Sequence, residues 1–146
     1  NFAKKGGYIV GICNGFQILT ESGLLKGTLM RNSQLTFICK HQSLIINNSQ
    51  SIMTKRFSES EEITLPIAHH DGNYYAEDET IKELEDNGQI LFRYKGNPNG
   101  SKNHIAGIMS SNQRILGMMP HPERAVDESL GTTHGSKIFK SIIESF

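Results

Sequence analysis

The sequence predicts a single domain of mixed α/β character, and three observations support this prediction. Short apolar runs rich in β-branched residues alternate with segments of helical periodicity along the chain. The 146 residues, of which 36% are hydrophobic, are enough to bury a core of substantial size. No internal repeat, low-complexity tract or linker divides the chain.

The first elements are the end of a helix and a short strand. Residues 2–5 have the pattern of a last amphipathic turn, which the glycines at positions 6 and 7 end. Residues 8–12 (YIVGI) then predict a buried strand. Such a strand in a parallel sheet usually has a neighbour on each side, yet few residues precede this one. We therefore expect the chain to be part of a longer protein.

The remaining elements follow in order along the chain. The pattern predicts a helix at 15–20, one long strand or a hairpin at 35–47, a strand at 61–68, a helix at 78–87 and a strand at 89–94. Residues 105–109 and 115–119 predict a hairpin. A terminal helix begins near residue 136, and its predicted buried face consists of Ile138, Phe139, Ile142, Ile143 and Phe146.

The composition excludes several classes of function. The 15 basic and 15 acidic residues cancel, so nothing electrostatic favours nucleic acid or an anionic membrane as a partner. No apolar run approaches the roughly 18 residues that span a bilayer. Two cysteines, Cys13 and Cys39, make a poor disulfide framework and indicate intracellular thiols. We expect a cytoplasmic protein with Cys39 in its core.

The most informative stretch is residues 11–17 (GICNGFQ), which follows the first strand and opens a helix. A nucleophile between two near glycines at this position is typical of a nucleophile elbow, with cysteine in place of serine. The first free N–H groups of the helix and its dipole would favour an anion at the Cys13 sulfur. The backbone amide of Asn14 is then placed to donate to a developing oxyanion. The alternative is a small buried core thiol, since free cysteine is among the most buried residue types.

A second stretch, residues 118–124 (MMPHPER), supplies a candidate base. Two prolines hold His121 in a stiff turn just past a predicted strand. Glu123, two residues on in a stretch that we expect to be extended, would point to the same side and accept the ring N–H of His121. A structural or surface histidine is the alternative. His41, His104 and His134 lack partners at metal-ligand spacing, so no metal site is predicted.

Together these two stretches resemble the triad of the class I glutamine amidotransferases. More narrowly, the chain resembles the glutaminase subunits of phosphoribosylformylglycinamidine synthase. The segments that carry this narrower resemblance, in the family's order and spacing, are residues 66–69 (PIAH), 97–101 (NPNGS), 105–108 (IAGI) and 117–124 (GMMPHPER).

The resemblance implies a fold and a chemistry. The fold would be a flavodoxin-like three-layer sandwich with a mixed, mostly parallel central sheet that lacks its N-terminal strands. Residues 1–146 would then be the C-terminal two-thirds of one amidotransferase domain. Cys13 would attack the side-chain carboxamide of glutamine, and His121 would protonate the leaving ammonia and then activate water. Glu123 would orient His121.

The resemblance also implies a substrate pocket and partners. Gln17 matches a position that lines the glutamine pocket, and Asn32, Ser33 and Phe37 lie in a segment that forms another wall. The loop at residues 69–74 would face the synthetase or the mouth of the pocket, although His70 and Asp71 depart from the family pattern.

The resemblance further implies that the ammonia passes to a separate synthetase subunit, which uses ATP and Mg to convert formylglycinamide ribonucleotide to formylglycinamidine ribonucleotide in purine biosynthesis. A small third subunit is compatible with it. No cofactor is expected in this chain, and a second oxyanion donor would come from a segment outside it. We therefore expect residues 1–146 alone to be insoluble or inactive.

Two other classes of function remain open at this point. A free-standing cysteine hydrolase, such as a γ-glutamyl hydrolase or a peptidase, would share the elbow. A non-catalytic binding module would retain only the fold, although an intact Cys13, His121 and Glu123 argue against it.

Overall fold

The computed structural model describes residues 1–146 and contains eight strands and three α-helices. The strands are β1 (Ile9–Ile12), β2 (Thr28–Met30), β3 (Ile38–Ile46), β4 (Glu62–His69), β5 (Asn73–Tyr75), β6 (Ile90–Tyr94), β7 (Ile105–Met109) and β8 (Ile115–Met118). The helices are α1 (Asn14–Glu21), α2 (Asp78–Asp86) and α3 (His134–Ile143). Short 3-10 helices lie at Ala3–Lys5, Lys102–His104, Pro122–Arg124 and Glu128–Leu130.

Six strands form one mixed sheet in the order β1-β8-β7-β6-β3-β4, while β2 and β5 pair separately. The mixed sheet and the α/β class are confirmed, but the expectation of a mostly parallel sheet is wrong for these strands. Only β1 and β8 pair in parallel, and every other pairing is antiparallel. The turn between β7 and β8 is too short for the crossover that parallel neighbours need.

The helices cover both faces of the large sheet. One buried cluster contains Phe16 and Leu19 of α1 with Ile81 and Leu84 of α2. The other contains Ile138 of α3. Neighbouring strand residues divide between the two clusters, as the alternation of side chains in a strand requires. The chain is therefore a three-layer α/β structure with a core on each side of the sheet.

Most predicted elements are present within a few residues of their predicted ends. The hairpin of β7 and β8 is confirmed, with Ile108 opposite Gly117. Residues 35–47 contain one strand rather than a hairpin, and the short strands β2 and β5 were not predicted. The residues before β1 form a 3-10 helix that Gly6 ends with a φ of 80°.

Two predictions of burial are wrong. Cys39 is exposed, because the first half of β3 extends beyond the three residues that pair with β6. Ile143 and Phe146 are 72% and 81% exposed, because α3 ends at Ile143 and turns another face to the sheet. Ile138 is fully buried, as predicted.

Candidate active site

Cys13 lies in a sharp turn between β1 and α1. Its φ of 52° and ψ of −108° are rare for a residue with a side chain, and such a conformation costs on the order of 1–3 kcal/mol. The Cys13 carbonyl already accepts from the N–H groups of Phe16 and Gln17, at 3.0 and 3.3 Å, so the helix begins at once. The strand-to-helix elbow expected from the sequence is present.

Glycine is required at only one of the two flanking positions. A Cβ on Gly11 would lie 2.6 Å from the carbonyl oxygen of Gly15 and 2.6 Å from Leu19 Cδ1. A Cβ on Gly15 would meet nothing within 4 Å. The close approach of strand and helix therefore depends on Gly11, while Gly15 contributes its backbone.

His121 reaches the same edge of the sheet because β8 runs parallel to β1. Ile12 at the end of β1 is opposite Met118 at the end of β8, so the residues that follow both strands emerge side by side. The N–H of His121 donates to the carbonyl of Pro66 at 2.8 Å, and the residue is 7% exposed.

Glu123 pairs with His121, although not through the extended segment that we predicted. Residues Pro122–Arg124 form a 3-10 helix, because proline is well suited to the first helical position. That turn brings Glu123 Oε1 to 2.5 Å from His121 Nδ1. The predicted contact is therefore made, by a different backbone path.

The surroundings of His121 favour its charged form. The Cys13 thiol is the largest influence that raises the pKa of His121 above its usual value. Burial opposes this effect, and Glu123 adds to it. Nε2 of His121 is buried and has no hydrogen-bond partner, and the Cys13 Sγ lies 3.6 Å from the carbonyl of Ala68. The neutral thiol donates to the Ala68 carbonyl, so the hydrogen bond between His121 and the Cys13 sulfur that raises the pKa of His121 belongs to the state in which the sulfur is the acceptor.

A cleft of about 240 Å³ opens beside the thiol. Its lining residues are Cys13, Asn14, Gln17, His69, His70, Asp71 and Met119. Three of these were predicted site residues, and the loop after β4 was expected at the mouth of the pocket. Met119 was missed, although its position directly before the Pro-His-Pro turn could have indicated it.

The other predicted wall residues do not line this cleft. Asn32 is fully buried, and its side chain is used inside the protein. Its Nδ2 donates to the carbonyls of Thr36 and His69, and its Oδ1 accepts from the N–H of Gly72 at 3.1 Å. Asn32 therefore fixes the loop after β4 and has no group left for a substrate.

Ser33 and Phe37 are exposed. The N–H of Ser33 donates to the carbonyl of Asn99 at 3.0 Å. The Phe37 ring is 52% exposed and meets His70 edge-on, with 5.0 Å between ring centres. These two residues lie outside the cleft that contains the thiol.

Two further properties of the chain bear on its function. No group of three or more His, Cys, Asp and Glu side chains is placed to hold a metal ion. None of the helices is long and apolar enough to cross a membrane.

The fold and the site together define an α/β domain of the glutamine amidotransferase class. A family model described as the CobB/CobQ-like glutamine amidotransferase domain matches residues 1–140, and the chain belongs to that family.

Within this family, the chain is similar to a subunit named PurQ. Phosphoribosylformylglycinamidine synthase subunit PurQ from Roseobacter denitrificans is 53% identical over 140 residues, which cover 96% of this chain and 63% of the relative. A solved structure of PurLQS from Thermotoga maritima matches with a TM-score of 0.91 at 43% identity, covering 99% of this chain and 64% of that one.

A more distant structure supports the fold alone. A glutamine amidotransferase from Thermotoga maritima matches with a TM-score of 0.59 at 15% identity, covering 99% of this chain and 48% of that one. The chain thus spans less than two-thirds of the length of these relatives. Two statements stay predictions: residues 1–146 form two-thirds of one domain, and the protein is cytoplasmic.

Proposed function

We propose that this chain belongs to the glutaminase subunit of a phosphoribosylformylglycinamidine synthase. Glutamine is hydrolysed to glutamate and ammonia by Cys13, His121 and Glu123. The observation that carries the proposal is the parallel pairing of β1 with β8, which places a strained cysteine beside a carboxylate-paired histidine. Membership in the amidotransferase family and the identity with PurQ support it.

The first step begins with transfer of the Cys13 thiol proton to His121, which becomes an imidazolium, and the sulfur then attacks the carboxamide carbon of glutamine. A carbon–sulfur bond forms, and the carbonyl electron pair moves to oxygen to give a tetrahedral oxyanion. The amide of Asn14 opens α1 beside the sulfur, and the first N–H groups of a helix have no partner within it. This amide is placed to stabilise the oxyanion.

His121 then transfers the protons. Its imidazolium form protonates the leaving nitrogen, the carbon–nitrogen bond breaks, and ammonia departs from a γ-glutamyl thioester. The resulting neutral imidazole takes a proton from water, whose oxygen attacks the thioester carbon. The carbon–sulfur bond then breaks, glutamate is released, and the Cys13 sulfur takes the proton back from His121. The raised pKa of His121 supports its role as the acid, and the Glu123 carboxylate at Nδ1 orients the ring.

The cleft beside the thiol would hold the amino acid. Gln17 lies on the first turns of α1 and lines this cleft, and its Nε2 donates to Glu21 at 3.0 Å. That bond turns the Gln17 amide toward the helix surface. To contact glutamine, Gln17 would have to break its hydrogen bond to Glu21 or donate to both partners. Asp71 supplies a carboxylate at the cleft for an amino group.

The ammonia would pass to a separate synthetase subunit. That subunit would use ATP and Mg to amidate formylglycinamide ribonucleotide, and a small third subunit is compatible with the arrangement. Exposed apolar side chains support a protein partner, since Leu35 is 74% and Phe37 52% exposed, and the Phe37 ring meets His70 of the cleft.

The test is glutamine hydrolysis by the intact protein, measured with and without the synthetase and its substrates. Cys13→Ala should abolish hydrolysis. Cys39→Ala should leave it unchanged, because the Cys39 thiol is exposed on β3 and does not line the cleft. Hydrolysis that is weak alone and rises with the synthetase supports the proposal. Strong hydrolysis that ignores the synthetase would indicate a free-standing hydrolase instead.

A further inference from the structure

His69 is a buried residue of the cleft that the proposed mechanism does not use. It ends β4, is 4% exposed, and lines the same cleft as Cys13. Its ring packs closely against Gly72, where a Cβ would come within 2.3 Å of Nδ1. The ring is therefore held in one place by the backbone of the following loop.

The hydrogen bonds of Asn32 determine which nitrogen of His69 carries the proton. Asn32 Nδ2 donates to the carbonyls of Thr36 and His69, at 2.8 and 2.7 Å, so the amide can be oriented in only one way. Asn32 Oδ1, which can only accept, lies 3.0 Å from His69 Nδ1. His69 Nδ1 must therefore be the protonated nitrogen.

The ring is also neutral. The pKa of His69 is lowered to about 4, mainly by burial and with a smaller contribution from the nearby His121, while a hydrogen bond to the residue's own backbone and the charge of Asp71 oppose the shift. In a neutral ring protonated at Nδ1, the other nitrogen carries a lone pair and can only accept. Nε2 of His69 is that nitrogen, and it is buried with no partner in the protein. A buried acceptor without a donor is costly, which points to a donor on a ligand.

We propose that Nε2 of His69 accepts a hydrogen bond from the carboxamide nitrogen of the substrate and so selects an amide over an ester or an acid. This inference rests on the proposed glutaminase function. An amide offers two N–H donors at the reacting group, whereas an ester or carboxylate oxygen offers lone pairs that repel the lone pair of Nε2. The same acceptor binds the N–H groups of the leaving nitrogen as His121 protonates it. His69 is thus a specificity-determining residue.

The first test compares an amide with an ester in the intact protein assembled with its synthetase. kcat/KM is measured for glutamine and for glutamate γ-methyl ester, which has no N–H at the reacting position. His69→Ala should lower the ratio of amide to ester by about tenfold to a hundredfold. His69→Gln, whose Oε1 can accept near the position of Nε2, should restore part of the ratio. An equal fall for both substrates would mean a structural role and would overturn the inference.

Tyr94→Phe is the matched control. The hydroxyl of Tyr94 is also buried, and its surroundings include the Asn99 side chain and Cys13. The hydroxyl is not tied to Asn32 or His69, so its removal should leave the ratio of amide to ester unchanged. A change as large as that of His69→Ala would overturn the assignment to His69.

The second test needs no turnover, so it separates this inference from the proposed function. The ¹⁵N chemical shifts of the His69 ring are measured in the intact Cys13→Ala protein between pH 6 and pH 8. They should show a neutral ring protonated at Nδ1, and saturating glutamine should shift Nε2 while glutamate should not. A proton on Nε2, or equal shifts with both ligands, would overturn the inference even if glutamine is hydrolysed.

Discussion

The backbone N–H of Cys13 donates to the carbonyl oxygen of Met118 at 2.8 Å. This bond extends the parallel pairing of β1 and β8 one residue beyond β1, to the strained cysteine itself. His121 follows Met118 by three residues, so the strand that positions the thiol also positions the imidazole.

Gly11→Ala should destabilise the protein, because its Cβ would overlap the Gly15 carbonyl and the Leu19 side chain. Overpacking of this kind costs about 1–3 kcal/mol. Gly15→Ala is the control, since its Cβ would meet open space, and replacing a helical glycine gains up to about 1 kcal/mol. Urea unfolding of both variants measures the difference. Equal losses of stability would contradict the assignment of the close approach to Gly11.

The pKa of His121 should be above 6.5 in the wild-type protein and lower in Cys13→Ala. The fall in Glu123→Gln should be smaller, because the thiol is the larger of the two influences that raise this pKa. NMR titration of the His121 ring measures all three values. A fall in Glu123→Gln larger than that in Cys13→Ala would show that the carboxylate, and not the thiol, is the stronger influence.

The same shift predicts how stability depends on pH. A histidine whose pKa is raised on folding adds stability that is fully present below its unfolded pKa, near 6.5, and is lost as pH rises through the folded value. The stability of the wild type relative to His121→Gln should therefore decline with pH above about 6.5. Denaturant unfolding at several pH values measures it, and an advantage that grows with pH would contradict the direction of the shift.

Asn32→Ala should destabilise the protein, because it removes the side-chain hydrogen bonds that hold the loop after β4. The variant leaves the N–H groups of Gly72 and His69 Nδ1 without their acceptor, and each buried donor without a partner costs about 1–3 kcal/mol. Ser33→Ala is the control, because Ser33 is exposed. Thermal unfolding compares the two variants. An unchanged unfolding temperature in Asn32→Ala would show that the hydrogen bonds of Asn32 do not stabilise the loop.

Gly135→Ala should impair hydrolysis although α3 does not line the cleft. Its Cβ would lie 1.9 Å from the carbonyl oxygen of Pro122, in the turn that joins His121 to Glu123. Displacing that turn should lower the kcat for glutamine by about tenfold to a hundredfold. Ser136→Ala, one residue along the same helix, should have little effect. Wild-type activity in Gly135→Ala would show that α3 does not position the turn.

The sequence predicted the parts of the site that depend on neighbouring residues. The glycines around Cys13 and the prolines around His121 restrict the backbone locally, so both turns could be inferred from short stretches. The α/β class and the hairpin of β7 and β8 followed from periodicity.

The rest depends on contacts between distant segments. The hydrogen bonds of Asn32 go to His69 and Gly72, far along the chain, so nothing near Asn32 distinguishes a structural amide from a substrate-binding one. Ile143 continues the helical spacing of apolar residues but is exposed. Periodicity shows which residues share a face of the helix, but not whether another element packs on that face. Strands as short as β2 and β5 have no periodicity to detect.

The pairing of β1 with β8 also sets when the thiol can become reactive. A ribosome releases His121 more than a hundred residues after Cys13. Until β8 has docked, the nascent Cys13 lacks both its backbone hydrogen bond to Met118 and the neighbouring imidazole of His121. Reactivity is thereby delayed until β8 and the turn after it have formed, and an electrophile that labels Cys13 would report on that step of folding.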